Sequence, residues 1–222
     1  ACEQGLEVDV DAANAAAAQA SKDACIVAAS LLKSSRQMRS KSEAEACARR
    51  AAKLLEEVPS PPRLQADAET ALGELLATSG RFAEATVRYT TALALREACA
   101  RDLGSDEARL AVATALTNLA TTLHAVGDDK AVHLLRRSCA IKFEVLGHDD
   151  PRVAKALLRL ATAVASDGPV AAFSKKRSPK SKRPMAVAEA RKLRERAVAI
   201  LTQRLGADHA DTRKARAKLA ST

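Results

Sequence analysis

Aromatic side chains are almost missing from this chain of 222 residues, which has three Phe, one Tyr and no Trp. A sandwich or barrel needs aromatic and β-branched residues to cover its pleated faces, so an all-β fold is excluded. The same poverty removes the stacking platforms that sequence-specific RNA binding uses. Glycine is scarce too, with eight residues, none closer than seven positions to the next, and no phosphate-cradling loop is present. The five cysteines (Cys2, Cys25, Cys47, Cys99, Cys139) are scattered singly along the chain and form no CxxC pair. Their odd number and wide spacing argue against a zinc site and a closed disulfide set. Single thiols on Ala-rich helices read as buried small hydrophobes, and reduced thiols suit an intracellular, reducing compartment. His124, His133, His148 and His209 lack metal-ligand spacing. No metal or cofactor is expected.

Long apolar runs are also lacking. The longest uncharged stretch, Leu110 to Gly127, contains four Thr, Asn118 and His124, too polar for a membrane span. The segment from Ala1 to Ala20 carries no basic region and no Leu-rich core, so it does not read as an intact signal peptide. The start on Ala rather than Met reads as a cleaved presequence or a trimmed start, and the expected location is the cytoplasm or an organelle interior.

What the chain has is Ala (51 residues) and Leu (26), the residues that lose least on entering a helix. The expectation is all-α. Its net charge is +9, and six basic residues without an acid fall between Pro169 and Met185: Lys175, Lys176, Arg177, Lys180, Lys182 and Arg183. The remainder is nearly neutral, so the basic balance reports one segment rather than a nucleic-acid-binding face.

The glycines fall into a repeating order. Gly80, Gly127 and Gly168 each separate two apolar helical stretches and recur at similar spacings. Gly104, Gly147 and Gly206 each follow Leu. The step from Gly147 to Gly206 is the longer of their two, and setting the basic segment aside as an insertion makes them nearly equal. Gly closes helices because a left-handed residue costs any Cβ-bearing side chain about 1 kcal/mol or more. The preceding Leu is expected to cover the final turn. Polar clusters follow (Ser105-Asp106, Asp150-Pro151, Asp208 to Thr212) and start the next helix. The pairs Leu72-Gly73, Leu119-Ala120 and Leu160-Ala161 correspond, and a small second residue lets two helices approach closely.

Leu72-Gly73, Gly80, Phe82, Ala85, Tyr89 and Ala92, with the linkers Ile141 to Pro151 and Ile200 to His209, resemble tetratricopeptide repeats. The likeness is to the 42-residue variety found in kinesin light chains. It implies an α-solenoid of antiparallel helix pairs, a TPR-like superhelix, in which stacked hairpins cover one another's apolar stripes. Residues 1–58 read as a degenerate first copy, with helices at Asp11–Lys33 and Glu43–Glu57 ended by Pro59, Pro61 and Pro62. Residues 62–222 read as three further copies with the insertion at about 169–185. Asp211 to Ala220 closes the array, its Arg213, Lys214, Arg216 and Lys218 suited to a wetted face.

The resemblance also implies a concave partner-binding face formed by the first helix of each pair. It would present Asp67, Thr70 and Glu74, then Thr114, Thr117, Asn118, Thr121 and His124, then Lys155, Arg159 and Thr162. Asn118 matches the family's peptide-binding Asn, while its equivalents, Ala71 and Arg159, break the ladder. His148 and His209 occupy linkers where the family carries turn residues. Nothing marks a nucleophile, base and orienter converging from separate helices, and Glu56-Glu57 and Asp128-Asp129 read as solvated carboxylates. The reading is a non-enzymatic interaction scaffold or structural subunit whose partners are other subunits of a complex. The alternatives are an RNA-associated subunit, for example of an organellar ribosome, and a peptide-binding transport adaptor. The basic insertion reads as a solvated loop, or as a contact for an acidic protein surface or RNA phosphates.

Overall fold

The computed structural model describes residues 2–165 and 183–220, and all of their regular structure is helix. The elements are α1 (Cys2–Gln37), α2 (Lys41–Glu57), α3 (Pro62–Thr78), α4 (Phe82–Leu103), α5 (Asp106–Val126), α6 (Lys130–Leu146), α7 (Pro151–Ala165), α8 (Arg183–Leu205) and α9 (Ala210–Ala220). Helix α1 is longer at both ends than the Asp11–Lys33 expected for it. Its sequence up to Gln37 holds no Pro, so nothing in it interrupts the backbone ladder. Gly168, Lys175, Lys176, Arg177, Lys180 and Lys182 lie outside the described residues, and Arg183 stands at the first position of α8.

The punctuation follows the residue chemistry. Gly80, Gly104, Gly127, Gly147 and Gly206 all have positive φ, as chain reversal after a helix requires. Ser40 and Ser105 accept hydrogen bonds from the backbone N–H groups of Glu43 and Ala108 at the starts of α2 and α5. Asp150 accepts from the Arg152 N–H at 2.7 Å, with Pro151 opening α7. Leu146 and Leu205 pack against the core beside their glycines, as expected. Leu103 does not; it is 68% exposed, because α4 runs on past its last buried turn and carries this Leu off the packed face.

The chain forms two compact units, Ala1–Leu95 and Arg96–Thr222. In the first, α1 lies against α2 and α2 against α3. Ala28, Leu32, Ala51, Leu55, Ala68 and Ala71 form the shared core. Small side chains set the helix spacing: a Cβ added at Gly73 of α3 would stand 2.9 Å from Cε1 of the buried Tyr89 ring on α4. Glu45 of α2 accepts from Arg49 and from Arg81 at 2.7 Å each, tying α2 to the turn between α3 and α4.

The second unit packs α5 on α6, α6 on α7, α7 on α8 and α8 on α9. Its core runs from Ala120 and Leu135 through Val153, Leu157 and Leu160 to Leu201 and Ala215. Ala120 and Ala161, the counterparts of Gly73, are both wholly buried. Cys139 is buried, which pushes its thiol up to about 11; Cys25, Cys47 and Cys99 are half-buried.

This packing can be tested at two places. Gly73→Ala gains about 1 kcal/mol of helix propensity but overpacks against Tyr89 at a cost of about 1–3 kcal/mol. The substitution should therefore lower the thermal midpoint in the native background and raise it beside Tyr89→Leu. The hydrogen bond from Arg49, reinforced by Arg81 and opposed by partial burial, holds the Glu45 carboxyl below the usual carboxylate range. Its stabilising contribution is present at neutral pH and fades as pH falls through that lowered value. In urea titrations, Glu45→Gln should lower the midpoint at pH 7 and leave it unchanged near pH 2.

Candidate partner-binding site

Threonine in a helix interior turns its hydroxyl back onto the preceding turn. The Oγ1 atoms of Thr70, Thr114, Thr117, Thr121 and Thr162 donate to the carbonyls of Ala66, Leu110, Ala113, Thr117 and Leu158, at 2.7 to 3.0 Å. Their donors are committed, so these residues offer a ligand only acceptor lone pairs. Thr117 offers less still. It is 6% exposed and shares a hydrogen bond with Ser138 of α6, whose hydroxyl also reaches the Ala113 carbonyl. Thr117 therefore fastens α5 to α6.

Asp67, Thr70 and Glu74 all stand on α3 of the first unit, where Asp67 and Thr70 are half-buried and Glu74 is more open. Restricted solvation raises the Glu74 carboxyl above its usual range, with Arg36 opposing. The remaining candidates stand on α5 and α7 of the second unit. Asn118 is half-buried there, and Thr114 is exposed.

Five of the candidates converge. Thr121 and His124 of α5 and Lys155, Arg159 and Thr162 of α7 line one groove of about 430 Å³. Leu135, Leu158, Ala163, Leu201 and Ala215 supply its apolar lining, and α9 closes it with Asp211, Lys214 and Lys218. The lining thus holds four cations and one carboxylate. Arg159 donates weakly to Thr121 Oγ1 at 3.4 Å, and Lys155 pairs with Asp211 at 2.8 Å. Nearby, Lys142 of α6 has a lowered pKa, first through burial and then through repulsion by Arg159 and Arg152.

The basic residues of α9 suggest a wetted end of the array, and Lys214 and Lys218 are indeed exposed. They nevertheless face the same groove as α7. The repeat register contains the signal for this: the step from Gly147 to Gly206 also carries Lys155 to Lys214 and Arg159 to Lys218. Helix α9 thus stands in register with α7. The linker histidines sit in turns, as expected. His209 Nδ1 accepts from the Asp211 N–H at 3.1 Å. His148 packs on Phe143 with ring centroids 5.0 Å apart and accepts from Arg196, whose guanidinium lies 4.7 Å from the Phe143 centroid.

No protein-family model matches the chain, and no curated protein does. Solved structures do. A protein of nearly identical TPR-like repeats from Podosopora anserina, a putative kinesin light chain, aligns with a TM-score of 0.61 at 18% identity, covering 90% of this chain and 83% of that one. A substituted form of the same protein gives 0.63 with the same identity and coverage. BtubC (BKLC) from P. vanneervenii gives 0.64 at 19% identity, covering 93% of this chain and 80% of that one. The chain therefore has the fold of a TPR-like repeat protein. No helix among the described residues is long and apolar enough to cross a membrane.

Proposed function

We propose that the protein is a non-enzymatic interaction scaffold whose second unit receives an acidic segment of a partner protein. The observation that supports this is the groove between α5, α7 and α9, lined by Lys155, Arg159, Lys214 and Lys218 against the lone Asp211. Ammonium and guanidinium groups reward carboxylates with charge-assisted hydrogen bonds, and Arg159 offers a planar fork for a bidentate contact. The apolar lining suits side chains that flank the acids. Asn118 and Thr114 extend the face of α5, and the Thr acceptors suit backbone N–H groups of an extended peptide. The partner is another subunit of a larger assembly.

A fluorescein-labelled hexaglutamate peptide should bind the full chain, and hexaglutamine should not. Lys155→Ala with Arg159→Ala should weaken binding about three- to tenfold, the loss of two exposed charge contacts, and added salt should weaken it further. Equal affinity for both peptides, or no loss in the double variant, overturns this reading.

A second reading, an RNA-associated subunit, rests on the charge of the 169–185 segment, six cations without an acid. If it holds, filter binding of single-stranded RNA should fall linearly with salt on logarithmic axes. Deleting residues 169–182 should then flatten that slope; a slope unchanged by the deletion removes the reading.

A further inference from the structure

The groove carries its own competitor. We propose that Asp211 acts as a built-in surrogate ligand, holding Lys155 until an incoming carboxylate displaces it, and so sets how acidic a partner segment must be to bind. This rests on the acidic-segment reading of the groove.

Asp211 stands in the first turn of α9, where a negative side chain meets the positive end of the helix. Its own N–H donates to His209 Nδ1. The next residue, Thr212, is wholly buried, and its Oγ1 donates to the Leu201 carbonyl of α8 at 3.3 Å. Ala215, one turn on, is also wholly buried in the core. The carboxylate is therefore positioned by a docked helix rather than by a loose loop, and its contact with Lys155 needs little further ordering. Lys155 itself is 57% exposed, so the pair stands at the mouth of the groove where a ligand carboxylate has access. The hydrogen bond from Lys155 holds the Asp211 carboxyl below the usual range, with partial burial opposing and His209 and Lys214 assisting. It is thus ionised wherever a partner's Asp or Glu is, and competes for the same ammonium. A segment with one acid can exchange with Asp211 for no net gain. A segment with several acids meets Arg159 and Lys214 as well, and those additional contacts drive the exchange.

The test is the hexaglutamate titration on the full chain carrying Asp211→Asn, Lys155→Ala, or both. Asp211→Asn should tighten binding about two- to fivefold, the size of an exposed ion pair released from competition. That gain should vanish when Lys155 is also Ala. A wild type that binds while Asp211→Asn brings no gain overturns the inference alone; so does an equal gain with and without Lys155, which would make Asp211 a general repeller. Failure of every form to bind overturns the inference together with the reading beneath it. Acylation of Lys155 by sulfo-N-hydroxysuccinimide acetate, read by mass spectrometry against Lys192, reports on the pair without a ligand. It should rise in Asp211→Asn, and unchanged labelling in a variant with native helicity counts against the surrogate.

Discussion

Close approach of helices across alanine is the constraint on which this structure depends. A chain nearly free of aromatics has few large side chains with which to fill gaps between helices, so it must bring the backbones together. Ala48, Ala51, Ala66, Ala68, Ala113, Ala120, Ala154, Ala161, Ala190 and Ala197 are all wholly buried, and Gly73 gives way to the one tyrosine. Each buried methyl contributes little alone, and dispersion across many such contacts contributes the rest. A helix with such a face is stable only beside a neighbour.

That constraint also explains where chemistry is possible. Within the second unit, first helices of successive copies present their residues to a common groove because stacking fixes the register between them. The same register places Lys155 with Arg159 on α7 and Lys214 with Lys218 on α9. The cation excess is assembled by repetition, and only the Asp211 carboxylate breaks it among the lining residues.

Much of the fold is legible in the sequence because it is written in local signals. Glycines with positive φ, serine caps and the Asp150-Pro151 start act within a few residues of themselves. The register of Gly73, Ala120 and Ala161 follows from counting. What is not legible depends on rotation about the helix axis. Thr117 and Thr121 differ by one turn, yet one is buried against Ser138 and the other is more open. Leu103 shares the Leu-Gly pattern of the covered helix ends and instead faces water. The groove role of α9 stays hidden because its basic residues resemble any solvated face until the repeat step is carried past the insertion.

The acidic-segment reading is tested most directly by mapping backbone amide chemical shifts of the isotopically labelled chain as hexaglutamate is added. The account predicts saturable shifts concentrated at Lys155, Arg159, Lys214 and Lys218, with Arg213 and Arg216 on other faces of α9 little moved. Shifts confined to residues 169–182, or spread over basic residues of both units without saturation, would contradict it.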